Sequence, residues 1–202
     1  MENRYDREDL QAARRVLREG GVILYPTDTV WGLGCDATNA EAIQRIYALK
    51  QREDSKSMLV LLDSAAKLDY YVDVPSSAEI LLSAIETNPN NPDNNSTKPM
   101  TIIYPHARHL AENIIAKDGS IGIRVTNEPF SKALCAQLKR PIVSTSANIS
   151  GEPSALFFDQ ITNPIREGVD YICSFRRDDK SSATPSSIIK INPDGTFEII
   201  RE

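Results

Sequence analysis

Three observations predict an α/β fold. Apolar residues alternate between helical and strand spacing along most of the chain, several short apolar runs are bounded by Gly or Pro, and the C-terminal end carries a hairpin pattern. The chain has 202 residues, 41% of them apolar and 25% charged. Such a chain can close its own core without a disulfide or metal staple, and this composition excludes a disordered or collagen-like protein.

The elements follow in order. Residues 6–19 carry Leu10, Ala13, Val16 and Leu17 at helical spacing, and Gly20-Gly21 stops them. Residues 22–25 form a short buried strand ended by Pro26, and residues 27–36 read as a loop. Asn39 caps a helix to about Lys50, with Ile43, Ile46 and Tyr47 on one face. Residues 58–62 are a strand, Asp63 or Ser64 caps a short helix, and residues 76–86 are another helix. Residues 87–99, TNPNNPDNNSTKP, contain no apolar side chain other than proline and are expected to be a mobile loop. Strands are expected at 100–104, 120–125 and 141–144, with helices at 107–115 and from Asn127 to Leu138. Residues 159–167 are weakly helical, 171–173 form a short strand, and 187–191 and 196–200 form a hairpin about Asn192-Pro193-Asp194-Gly195.

Charge and cysteine usage narrow the function. Lys plus Arg number 23 and Asp plus Glu 28, a net charge of −5, whereas dedicated nucleic-acid binders are usually basic. Any affinity for tRNA is therefore expected to be weak and local. Cys35, Cys135 and Cys173 lack metal or redox spacing, which points to a reducing compartment. The polar N-terminus does not resemble a signal peptide and no run is long enough to span a membrane, so the cytoplasm is expected.

Three segments could carry chemistry. YPTDTVWGLG at 25–34 leaves a strand with two hydroxyls, a carboxylate and two glycines. It is either a ligand loop at a strand end or a turn that satisfies its own backbone. Gly32 to Ala37 also matches G-x-G-x-x-A, with Glu53 and Asp54 near the distance of a ribose ligand. A dinucleotide fingerprint, however, needs its first glycine directly after the strand. Lys50, Arg52 and Lys56 are either a solvated run at a helix C-terminus or an anion clamp, Arg52 giving a fork and the lysines point charges. STSANISG at 144–151 sets four hydroxyls and an amide directly after a core strand, which suits phosphate or serves as helix-capping polarity. No G-x-x-x-x-G-K-[ST] loop or G-x-S-x-G elbow is present, and His106 and His109 read as exposed helix residues rather than a metal pair.

In this order, the three segments resemble the YrdC family of threonylcarbamoyl-AMP synthases, whose pattern is YPTeTvyGLG, K-x-R and S-x-N. Gly122-Ile123-Arg124-Val125 and Pro185-Ser186-Ser187-Ile188-Ile189 are weaker matches to two further family strands. The resemblance covers about Leu10 to Arg201. It implies one YrdC-like domain over 1–202: a twisted mixed α/β sheet with flanking helices around a concave, positively charged cavity.

It also implies a reaction. L-threonine, bicarbonate and ATP, with Mg²⁺ riding on the nucleotide, give threonylcarbamoyl-AMP and pyrophosphate. A downstream transferase complex then modifies adenosine 37 of tRNA. By the family pattern Lys50, Arg52, Ser146 and Asn148 form a catalytic basic-polar tetrad. Arg52, Lys56, Ser120, Ser146, Asn148, Ser154 and Arg201 fall where the family contacts ATP. Thr29, Arg124, Ser144 and Ser186 fall where it holds L-threonine, Arg124 pairing the carboxylate. Lys50 and Arg52 are expected to face solvent, and catalysis to proceed by placement and electrostatics without a nucleophilic side chain.

The chain departs from the family in two places. The W-P-G-P-x-T segment before the central strand is absent, and Glu53-Asp54 replaces the usual sequence after K-x-R. The alternatives are a YciO-like RNA- or nucleotide-binding module without synthase activity, and a carbamoyl-AMP-handling domain like that of hydrogenase maturation proteins.

Overall fold

The structure, a computed structural model, describes residues 5–51, 58–75, 98–181 and 185–202. Among the described residues nine strands make one mixed sheet: β1 (Ile23–Tyr25), β2 (Gly32–Gly34), β3 (Leu59–Leu62), β4 (Met100–Tyr104), β5 (Ile121–Val125), β6 (Ile142–Ser146), β7 (Tyr171–Ile172), β8 (Ser187–Ile191) and β9 (Phe197–Arg201). Their order across the sheet is β7-β1-β2-β6-β3-β5-β4-β8-β9. The helices are α1 (Arg7–Arg18), α2 (Ala40–Leu49), α3 (Leu68–Tyr71), α4 (Pro129–Leu138) and α5 (Asn163–Glu167).

Local chemistry starts and stops these helices. Asp6 accepts from the Glu8 N–H at the head of α1, and Asn39 Oδ1 accepts from the Ala42 N–H at 3.0 Å at the head of α2. The cap of α4 is Glu128, not Asn127. Pro129 occupies the first turn, where no N–H is needed, and Glu128 Oε2 accepts from the Ser131 N–H at 2.7 Å. Lys139 closes α4 in the left-handed conformation.

Alternation along the strands sends side chains to two different environments. One face carries Leu24, Leu33, Val60, Ile102, Tyr104, Ile121, Ile123 and Val143 into the larger core, closed by Ile43, Ile46 and Tyr47 of α2. On the opposite face Ile23, Tyr25, Leu61 and Ile142 pack under Leu10, Ala13 and Leu17 of α1 and Phe130, Leu134 and Leu138 of α4. Helices α1 and α4 do not cover that whole face. Its further positions, Leu59, Gly122, Ile103 and Ile188, are only half-buried.

Several expectations change. The 27–36 loop contains β2, because Gly32 and Gly34 leave room for strand pairing on both sides, to Tyr25 and Ile23 of β1 and to β6. The 107–115 helix is reduced to a 3₁₀ turn at Glu112–Ile114; His106 and His109 are exposed but sit at left-handed φ values of 53° and 57°, which a helix excludes. Residues 159–167 divide into a 3₁₀ turn, Phe158–Gln160, and α5, whose start is set by Pro164. The helix read at 76–86 and all but the last two residues of the 87–99 loop lie outside the described residues.

Candidate functional site

The strand registers align polar residues on the half-open face. Ser144 of β6 pairs with Leu59 of β3, and Leu59 with Gly122 of β5. Arg124 lies two residues beyond Gly122 and therefore on the same face, level with Leu61. The β4–β5 register sets Thr101 beside Arg124, and Thr101 pairs with Ile188 of β8. At β9 an irregularity between Ile188 and Ile189 places Arg201, rather than Ile200, opposite Ile188. The added residue turns Arg201 toward the polar row.

Arg124 is the hub, only 4% exposed. Its Nε donates to Thr101 Oγ1 at 3.1 Å and Nη2 to Ser186 Oγ at 3.1 Å. Its Nη1 donates to Asp28 Oδ1 at 2.6 Å and to Thr29 Oγ1 at 3.2 Å. Arg201 joins the same group, its Nε donating to the Ser186 carbonyl at 2.9 Å and Nη2 to Ser186 Oγ at 3.1 Å. A buried guanidinium with a carboxylate and hydroxyls around it is satisfied rather than stranded.

Proton counting fixes the directions of the shared hydroxyls. Ser186 Oγ accepts from both arginines, so its own hydrogen goes to Thr101 Oγ1, 3.1 Å away. Thr27 Oγ1 donates to the Val30 carbonyl at 2.6 Å and accepts from the Thr29 N–H. Thr29 Oγ1 therefore donates to Thr27 Oγ1 at 3.1 Å and accepts from Arg124. The Thr27-Asp28-Thr29 loop is also held from behind: Arg176 Nη1 donates to the Thr27 carbonyl at 3.0 Å. Arg176 lies 4.0 Å from Glu128, whose carboxyl is pushed up by burial while bonds from Ser131 act against that rise.

Lys50 builds the other half of the site, and it corrects an expectation. It is 1% exposed, not solvent-facing. Its Nζ donates to the Ser146 carbonyl at 2.5 Å and to the Asn148 carbonyl at 2.6 Å, and the Ser150 N–H donates to the Lys50 carbonyl at 2.8 Å. Lys50 thus reaches from the end of α2 to the main chain of the loop after β6, and does not sit as an open cation at its own helix terminus. Asn148 Nδ2 closes the loop onto the carbonyls of Ile149 and Glu152.

Tyr25 lies between the two halves. Its ring crosses β2, where a Cβ on Gly34 would stand 2.6 Å from Tyr25 Cε1 and 2.9 Å from the Val143 carbonyl. The phenol donates to the Val143 carbonyl at 3.3 Å and lies beside the Ser144 hydroxyl. Burial raises its pKa well above the usual range, with the Ser144 hydroxyl acting the other way. The two glycines therefore serve close packing in a strand. They are not a strand–turn–helix dinucleotide turn.

Thr29, Arg124 and Ser186 are thus brought into direct contact, with Ser144 on the same face. Lys50 meets Ser146 and Asn148 through their main chain. Arg201, read with the nucleotide set, stands in the Arg124 group. Ser120 precedes β5 and bonds Asp118 at 2.6 Å; Ser154 is exposed. Arg52 and Lys56 lie outside the described residues. The sequence offers Asp28 only as the carboxylate of a candidate ligand loop, with no specific role, and gives no signal for Thr101 or Arg176. Burial raises the pKa of all three thiols, which suits packing rather than nucleophilic use. Among the described residues no group of three or more His, Cys, Asp or Glu is placed to hold a metal, and no helix is long and apolar enough to cross a membrane.

Residues 15–202 match the Sua5_yciO_yrdC family, described as telomere recombination. The chain belongs to this family. A Stutzerimonas stutzeri protein named threonylcarbamoyl-AMP synthase is 40% identical over 147 residues, 72% of this chain and 74% of its own length. A Pseudoalteromonas translucida protein of the same name is 35% identical over 168 residues, covering 82% and 85%. Among solved structures, P. abyssi Sua5 complexed with L-threonine superposes with a TM-score of 0.77 at 23% identity, over 93% of this chain. This chain spans about half the length of that Sua5, 52%. E. coli YciO superposes with a TM-score of 0.76 at 24% identity, over 98% of this chain and 90% of its own. Likeness at such identity establishes the fold; the Sua5/YciO/YrdC sheet is the frame on which the Arg124 and Lys50 groups are set.

Proposed function

We propose that this chain is a threonylcarbamoyl-AMP synthase, condensing L-threonine, bicarbonate and ATP to the adenylate with release of pyrophosphate. The observation that carries the proposal is the convergence of Thr29, Ser186 and Thr101 on the buried Arg124, in a family whose curated relatives at 35–40% identity bear that name. In this reading the half-open face between Arg124 and the Lys50-ordered loop is the hollow that takes both substrates. The L-threonine carboxylate goes to the Arg124 group, beside Ser144. The triphosphate goes to the strand end at Ser146 and Asn148, where Arg52 and Lys56 add cations. Mg²⁺ enters with ATP as one substrate complex.

Such a site works by placement. Lys50 fixes the main chain that presents Ser146, so its hydroxyl donor stands ready where charge builds on phosphate, while the Asn148 amide braces the same loop through the Ile149 and Glu152 carbonyls. The tetrad is therefore reassigned in part: Lys50 is a positioning residue, and the charge on phosphate falls to Arg52. The product supplies a transferase that acts on adenosine 37 of tRNA, and with a net charge of −5 this chain has little attraction for the tRNA itself.

The test is incubation of the purified protein with L-threonine, bicarbonate and ATP–Mg²⁺, with mass-spectrometric detection of the adenylate. Product and pyrophosphate are expected only with all three substrates. Absence of both, together with tight and steeply salt-dependent tRNA binding, would replace the enzyme with a YciO-like binding module.

A further inference from the structure

We propose that Asp28 is a specificity residue of the amino-acid site: its carboxylate takes the α-ammonium of the substrate and makes the Arg124 pocket selective for zwitterions over simple carboxylic acids. The inference rests on the synthase reading for the identity of the substrate.

The argument starts from the donors of Arg124. Four of its five N–H groups are already assigned, to Thr101, Asp28, Thr29 and Ser186. One N–H on Nη2 is left. Thr101 Oγ1 accepts from Arg124 and from Ser186, so its own O–H has no acceptor among the described residues. Two unspent donors close together call for an acceptor, which a ligand carboxylate supplies.

Asp28 presents the opposite demand. Its Oδ1 is held by Arg124 at 2.6 Å, while Oδ2 has no hydrogen-bond partner among the described residues. The Asp28 side chain is 15% exposed where Arg124 is 5%. Asp28 is therefore the outer member of the pair, fixed by its loop through Thr27 and Arg176. Its charge cancels that of Arg124, so the net positive charge of the group is that of Arg201, behind Ser186, and Arg124 and Asp28 present separated poles. A ligand bearing only a carboxylate meets the repulsion of Asp28. A ligand bearing a carboxylate and an ammonium on adjacent positions satisfies both poles at once.

The experiment is calorimetric titration of the full chain with L-threonine, L-serine and L-valine, each against its des-amino counterpart: 3-hydroxybutyrate, 3-hydroxypropionate and 3-methylbutanoate. The wild type is expected to favour the best amino acid over its counterpart by about 10- to 100-fold, the range of a hydrogen bond to a charged group. Asp28→Asn keeps an oxygen for Arg124 and should bring that ratio near unity, with the des-amino acid bound as well as before or better. Asp28→Glu should restore the preference. An unchanged ratio in Asp28→Asn, or a parallel loss of both ligands, would overturn the proposal. If the wild type prefers an amino acid other than threonine and the ratio still collapses in Asp28→Asn, the substrate reading fails and the role of Asp28 stands. If the wild type binds no amino acid, both fall.

Discussion

Lys50 and Arg124 are both buried cations, yet they are held in different ways. Lys50 grips the main-chain carbonyls of Ser146 and Asn148. Arg124 grips side chains: Asp28, Thr29, Thr101 and Ser186. Main-chain carbonyls cannot be exchanged for a ligand without unfolding the loop that carries them. Side-chain partners can rotate, release and accept a substrate in their place. In the proposed reading one cation builds the site and the other serves it.

Arg124→Met should show the largest effect, a loss of activity of about 100-fold or more, since the proposed carboxylate anchor has gone and Asp28 is left unbalanced. Adding Asp28→Asn should recover much of the lost stability, seen as a urea midpoint, but none of the turnover. Recovery of turnover would mean that Arg124 only neutralises Asp28. Lys50→Met is expected to cost about 2–4 kcal/mol, because two buried carbonyls lose a charged donor. Neither Ser146→Ala nor Asn148→Ala should rescue it, as the acceptors these two residues supply are main chain. Rescue by either would place Lys50 in the same class as Arg124. The smallest effect is expected from Gly34→Ala, which forces Tyr25 off the strand between the two groups. A cost of about 1–3 kcal/mol in urea unfolding is expected, with the Tyr25–Ser144 contact weakened before either cation is disturbed. Unaltered stability would show that the two halves tolerate a looser junction.

Much of this arrangement is legible in the sequence, because it rests on local signals. The apolar runs of β3, β5 and β6 and the cap at Asn39 announce themselves through periodicity and capping chemistry. β2 does not: Gly32-Leu33-Gly34 has one apolar side chain, and its pairing depends on a tyrosine and a strand remote in sequence. The burial of Lys50 was hidden for a similar reason, since two of its acceptors lie 96 and 98 residues away and are backbone atoms that no residue type reveals. Arg201 reaches the site only because of an irregularity in the last hairpin. Thr29, Arg124 and Ser186 could be grouped by family pattern, but their direct contact is a product of strand register, which composition does not encode.

The two-faced sheet also restricts how this sequence can change in length. In β5 a shift of a single position would exchange Ile123 for Arg124, turning the guanidinium into the hydrocarbon interior and setting the isoleucine against the polar side chains of Asp28, Thr101 and Ser186. Insertions and deletions should therefore collect at the connecting turns or occur within strands in twos, so that gene-length drift leaves the interior of β5 and β6 untouched.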